Sequence, residues 1–156
     1  MLKITIIYYS STNNTEKMAH LVKEGIKDNE IEVICERVEN VSLDILIESH
    51  GIIIGSPTYF GSMSSQIKDF LDKSIKYYDK LVGKVGGAFT SCQTCGSETT
   101  LLSIINAMFI HGMVVQGYCK GNHYGPIAIG APDEVASAEC MKLGFTVSSL
   151  VKKLFS

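Results

Sequence analysis

Nowhere does this chain carry the roughly 18 uninterrupted apolar residues that a membrane-spanning helix needs. Its start runs straight into a strand-like segment, without the basic, apolar and small-residue sequence of a signal peptide. A cytoplasmic protein with no membrane partner is the expectation. No basic or acidic block is present and the net charge is only −2, so the electrostatic footprint of nucleic-acid binding is missing. Five cysteines (Cys35, Cys92, Cys95, Cys119 and Cys140) are odd in number and, one pair aside, scattered. That is not the disulfide framework of a secreted domain, and reduced thiols are expected. No repeat, linker or low-complexity segment interrupts the sequence. No Ser-His-Asp set, GxSxG elbow or metal-ligand cluster offers chemistry of its own.

What is present is an alternation of apolar runs with helical patterns. The chain has 156 residues, 46% of them hydrophobic, which suits one domain over residues 1–156 burying roughly two-thirds of its unfolded surface. Leu2 to Tyr9 reads as a buried strand, Ile31 to Val38 as a second, and Gly51 to Gly55 as a short third. Lys84 to Ser91 reads as a fourth, and Met113 to Tyr118 as a fifth that resumes at Pro126 to Ile129. Between them lie a helix through Met18, Leu21, Val22 and Ile26, and a short one near Leu43 to Ser49. A long amphipathic helix is expected with Ile67, Phe70, Leu71, Ile75 and Tyr78 on its inner face. Thr99 to His111 forms another, stopped by Gly112. The last spans about Asp133 to Leu154, with Leu143, Val147, Leu150, Val151 and Leu154 facing inward. Such alternation implies parallel crossovers, helices on both faces of a five-stranded sheet, and the strand order 2-1-3-4-5. Ligands of such sheets bind outside the carboxyl ends of the strands, where the winding reverses.

Three loops there have unusual sequences. Ser10-Ser11-Thr12-Asn13-Asn14-Thr15 joins the first strand to a helix N-terminus. Two readings are open: an ordinary N-cap, or a nest of neutral donors for a phosphate dianion. Asn13 or Asn14 can take a left-handed conformation nearly as readily as glycine. Rival phosphate motifs fail, since there is neither a GxGxxG nor a GxxxxGK[ST]. The third strand also runs into Gly55-Ser56-Pro57 rather than the phosphorylatable Asp of a receiver domain. Next, Pro57-Thr58-Tyr59-Phe60-Gly61 places two aromatics where a loop should be exposed. A flat ring system packed against them would account for it, as would a core or subunit contact. Finally, Ser91-Cys92-Gln93-Thr94-Cys95-Gly96 offers hydroxyls, an amide and backbone donors for the polar edge of such a ring. Its Cys-x-x-Cys spacing fits a redox dithiol or a zinc half-site completed by Cys119 and His123 only weakly; two small residues in a ligand-facing loop are the default.

Taken together, SSTNNT after the first strand, GSPTYFGSM leading into SQIKDFLD, ETTLL with IHGMVV, and GNHYGPIAIG resemble the flavodoxin-like NAD(P)H:quinone reductases. These are the proteins historically called tryptophan-repressor-binding proteins. The resemblance implies that FMN phosphate sits in Ser10 to Thr15, that Pro57 to Gly61 packs on the isoalloxazine, and that Ser91 to Gly96 holds its pyrimidine side. It also implies that His111 lies near a flavin. Because His111 ends a helix running away from the strand carboxyl ends, that flavin would belong to a neighbouring subunit, so a homo-oligomer (dimer or tetramer) is expected. Asn13 stands where flavodoxins usually carry Gly, and Tyr59 where the quinone reductases often carry Arg. The longer insertions typical of the reductases are absent.

The leading expectation is an FMN oxidoreductase passing electrons from NAD(P)H to a quinone-like acceptor. The alternatives are a flavodoxin-type carrier serving redox partner proteins, and a binding protein that has lost its flavin. Carriers usually show a strongly acidic docking face, against which a net charge of −2 argues.

Overall fold

In the computed structural model, which describes residues 1–156, Leu2–Tyr8 forms β1 inside a parallel sheet. It pairs with β2 (Ile31–Arg37) on one side and β3 (Gly51–Pro57) on the other, and β3 pairs with β4 (Val85–Cys92). The order β2-β1-β3-β4-β5 is the doubly wound one expected from the strand and helix alternation. The fifth position is shared by two short segments, β5 (Val114–Val115) and β6 (Ile127–Ile129), which pair with the start and the end of β4. The expected strand over Met113 to Tyr118 therefore shrinks to two residues before the chain leaves the sheet. The excursion is stabilised by its own contacts: Tyr118 N–H donates to the His123 carbonyl at 3.0 Å, and Asn122 Nδ2 donates to Glu139 at 2.8 Å.

Alternate strand residues feed two cores, as a sheet covered on both faces requires. Ile4, Ile6, Ile53 and Phe89 pack with α1 (Asn14–Gly25) and α5 (Glu134–Phe155). Ile7, Ile52, Ile54 and Ala88 pack with α3 (Ser65–Lys73) and α4 (Ser97–Ile110), beside the single turn α2 (Ile45–Glu48). Every residue of β3 is buried, and each of its isoleucines contributes roughly 1.5–3 kcal/mol by leaving water. On the first face α1 and α5 touch backbone to backbone. A Cβ on Gly25 would sit 2.0 Å from the Met141 carbonyl oxygen, and one on Gly144 would sit 2.0 Å from that of Val22.

Two side-chain expectations are corrected. The helix expected through Tyr78 ends at Lys73 and continues as a 3-10 turn over Ser74–Tyr77. Ser74 Oγ donates back to the Leu71 carbonyl at 2.5 Å, and the tighter winding loses the helical phase. Ile75 and Tyr78 are consequently 68% and 59% exposed rather than inward. Leu154 is half exposed as well, because Val151 already packs over Gly51, the first residue of β3, and the next turn lies beyond the sheet. No helix is long and apolar enough to cross a membrane.

Candidate functional site

The loop from β1 to α1 crosses the carboxyl end of the sheet where the winding reverses. Asn13 caps α1 in the left-handed conformation, φ 68°, with no side-chain cap bond. None of the backbone N–H groups of Ser11, Thr12, Asn13, Asn14 and Thr15 reaches an acceptor within the protein. Consecutive free donors at the positive end of a helix are the arrangement that can cradle an anion, here without any Lys or Arg in the loop. Ser10 and Thr15 are buried beneath it. Ser10 Oγ accepts from the Glu16 N–H at 3.2 Å, and Thr15 Oγ1 shares a 2.8 Å hydrogen bond with Ser91 Oγ. Ser11, Thr12 and Asn13 form the exposed rim, with Asn14 half-buried.

The second loop rises beside it on a rigid base. Tyr59 and Ser62 exchange backbone hydrogen bonds of 3.0 and 3.1 Å around a two-residue turn. Both central residues have positive φ, 51° at Phe60 and 71° at Gly61. Glycine adopts that conformation freely, whereas phenylalanine pays for it in backbone strain. Phe60 is fully exposed and Tyr59 is 40% exposed, so neither ring belongs to the core. Below them, Thr58 N–H donates to the Ser91 carbonyl at 2.7 Å and Thr58 Oγ1 meets Thr90 Oγ1 at 2.9 Å. Ser56 Oγ accepts from the Ser64 N–H at 2.8 Å, and Ser64 caps α3. Tyr59 Oη lies 2.9 Å from Ser11 Oγ, tying the turn to the rim of the cradle.

The third loop closes the group. Gly96, at φ 86°, starts α4, and a Cβ there would lie 3.2 Å from Gly61 Cα. The N–H groups of Gln93, Thr94, Cys95 and Gly96 also find no acceptor in the protein. Gln93, Thr94 and Cys95 are exposed, while Cys92 is buried and its thiol is pushed up by that burial against a hydrogen bond with Ser97. All five cysteines are free thiols. No group of three or more His, Cys, Asp or Glu side chains is arranged to hold a metal ion.

Ser10 to Thr15, Pro57 to Gly61 and Ser91 to Gly96 thus converge on one surface. His111 does not join them. It caps the far end of α4, is buried with Nε2 2.7 Å from Ser74 Oγ, and leaves Nδ1 without a partner. Burial holds its pKa below the ordinary 6.5. Within one chain it is remote from the three loops, and the expectation of flavin contact rests on a second subunit. Reading the sequence missed Arg37, Glu16 and Tyr8, which stand behind the cradle: Tyr8 OH donates to Glu16 Oε1 at 2.8 Å, and Arg37 Nη1 lies 3.5 Å from the same oxygen. The parallel neighbour of the first strand is the signal that could have found Arg37, since it closes that strand opposite Tyr8.

A family model described as NADPH-dependent FMN reductase matches residues 42–120. An NAD(P)H dehydrogenase (quinone) from Archaeoglobus fulgidus is 34% identical over 190 residues, covering 99% of this chain and 100% of the relative. The chain belongs to the NADPH-dependent FMN reductase family. Within this family's wider neighbourhood, a protein named flavodoxin from Clostridium saccharobutylicum is 35% identical over 162 residues, again covering 99% of this chain and 100% of the relative. The crystal structure of a flavodoxin, WrbA-like protein from Agrobacterium tumefaciens superposes with a TM-score of 0.80 at 28% identity, covering 99% of each chain. The fold is that of the flavodoxins. The family's description names FMN, and the donors present here fit its phosphate: Asn13 takes the left-handed conformation that glycine would otherwise supply.

Proposed function

We propose that the three loops bind FMN and that the protein uses it to carry electrons from NAD(P)H to a quinone or similar acceptor. The run of free amides from Ser11 to Thr15, at the switch point of a flavodoxin fold, is the observation that carries this reading. Those amides would hold the phosphate dianion. Tyr59 and Phe60 would cover a face of the ring system, and the free N–H groups of Gln93 to Gly96 would meet its polar edge. The bound cofactor supplies the hydride and electron chemistry; the chain supplies orientation and exclusion of water. Purified protein should be yellow and should release FMN on denaturation. Stopped-flow mixing with NADPH should bleach the flavin rapidly, and a flavin that stays oxidised would instead favour the electron-carrier reading, which the flavodoxin-named relative supports.

We place the protein in the cytoplasm, where five unpaired thiols would stay reduced. A homo-oligomer is supported by an apolar face around the end of α3 and of α4, where Ile75, Tyr78 and Ile110 line one groove with His111. Light scattering of the purified protein tests it, and a monomer at micromolar concentration would remove the route by which His111 reaches a flavin.

A further inference from the structure

Arg37 is the only arginine in the chain. It closes β2 opposite Tyr8, directly behind the β1–α1 loop. Its Nη2 donates to the Ser10 carbonyl. Nη1 lies 3.5 Å from Glu16 Oε1, Nε lies 3.8 Å from Glu39, and the guanidinium carbon stands 5.8 Å from the centre of the Tyr8 ring. The Tyr8 hydroxyl holds the same Glu16 oxygen at 2.8 Å. Both charged side chains are about 30% exposed, so the pair is only partly screened by water.

Two consequences follow for the cradle. In a planar trans peptide the carbonyl and the N–H point in opposite directions. A Ser10 carbonyl drawn onto Arg37 therefore aims the Ser11 N–H away from Arg37, leaving it free for an anion. Second, Glu16 lies in the first turn of α1, at the helix end where an anion would bind. Its carboxylate opposes a second negative group there. Arg37 offsets that charge, and the Tyr8 hydroxyl holds the same carboxylate oxygen beside Arg37.

We propose that Arg37 is the positioning residue of the phosphate cradle: by fixing the Ser10–Ser11 peptide and countering Glu16, it gives the site its preference for a phosphate ester over the bare flavin alcohol. The proposal rests on the FMN reading of the site. Its effect is confined to the phosphate, so it is read as a ratio of two affinities. Apoprotein is titrated with FMN and with riboflavin by flavin fluorescence. R37M should raise the Kd for FMN about tenfold while leaving that for riboflavin within about twofold. R37K, which keeps the charge but loses the planar fork, should fall between. E16Q added to R37M should regain part of the loss, and E16Q alone should tighten FMN without affecting riboflavin. The difference between wild type and R37M should shrink as salt is raised. Parallel weakening of both flavins in R37M would overturn the proposal, as would an E16Q that changes neither. Should R37M fail to fold, R37K and E16Q carry the same comparison. Wild-type protein that binds neither flavin would refute the FMN reading itself.

Discussion

Phe60 couples stability and cofactor binding with opposite signs. Its ring is fully exposed and its backbone is left-handed at φ 51°, so in the apoprotein it contributes strain and no packing. That strain is worth roughly 1–2 kcal/mol for an L-residue, less for asparagine, which tolerates the conformation. Phe60→Asn should therefore stabilise the apoprotein by about 1 kcal/mol, or about 3 °C in Tm for a chain of this size. A ring laid on the flavin covers roughly 60 Å² of apolar surface, about 1.5 kcal/mol, so the same variant should bind FMN about tenfold more weakly. Phe60→Ala separates the two effects, since it removes the ring but keeps the strain: its affinity should fall equally with no gain in Tm. Thermal melts of the apoproteins and fluorescence titrations with FMN measure both. An F60N apoprotein no more stable than F60A would refute the strain argument, and unchanged FMN affinity in both would show that the ring does not cover the flavin.

Thiol accessibility maps the third loop. Cys95 and Cys119 are exposed, whereas burial pushes Cys35 to about 11 and Cys140 to about 12, so a disulfide reagent should modify the first two quickly. FMN should then protect Cys95 and leave Cys119 reactive; protection of neither would count against flavin in that loop. Acid should destabilise the protein through its histidines. Burial lowers the folded pKa of His111, and burial followed by the nearby positive charges of Lys84, the N-terminus and Lys3 lowers that of His50, whose Nδ1 accepts from the Lys3 N–H at 3.1 Å. The unfolded chain therefore binds these protons first, and the stability they carry is complete above pH 6.5 and lost as pH falls toward the lowered values. Urea midpoints at pH 7.5 and 5.5 should differ less in H111N than in wild type. Gly144→Ala drives a Cβ to 2.0 Å from the Val22 carbonyl oxygen and should cost about 3 kcal/mol in urea unfolding. Gly117→Ala, whose Cβ meets nothing closer than 3.5 Å, should cost little by comparison.

The strands and helices were legible because each depends on local periodicity, and the order of the sheet followed from their alternation. Ile52-Ile53-Ile54 reads as a buried strand whatever surrounds it, and an asparagine at 13 or 14 could be read as a left-handed residue, the structure choosing Asn13 because Asn14 already starts the helix. Where local pattern misled, a distant contact had won. Helical spacing continues through Ile75 and Tyr78, yet the Ser74 hydroxyl, bonded to the Leu71 carbonyl and to His111, ends the helix first. Apolar residues from Met113 onward read as one strand, although the loop around Asn122 is claimed by Glu139 on the last helix.

What the sequence by itself determined is which segments bury which faces, and hence that polar loops gather at one end of a doubly wound sheet. Spacing of apolar side chains acts between neighbours in the chain, so it survives without knowledge of the fold. Only the tertiary structure decided that the exposed Phe60 would be held in a left-handed conformation, and that Arg37 would stand behind the cradle. The pairing of β2 with β1 brings a guanidinium to a carbonyl 27 residues away, and charges meet through space rather than along the chain.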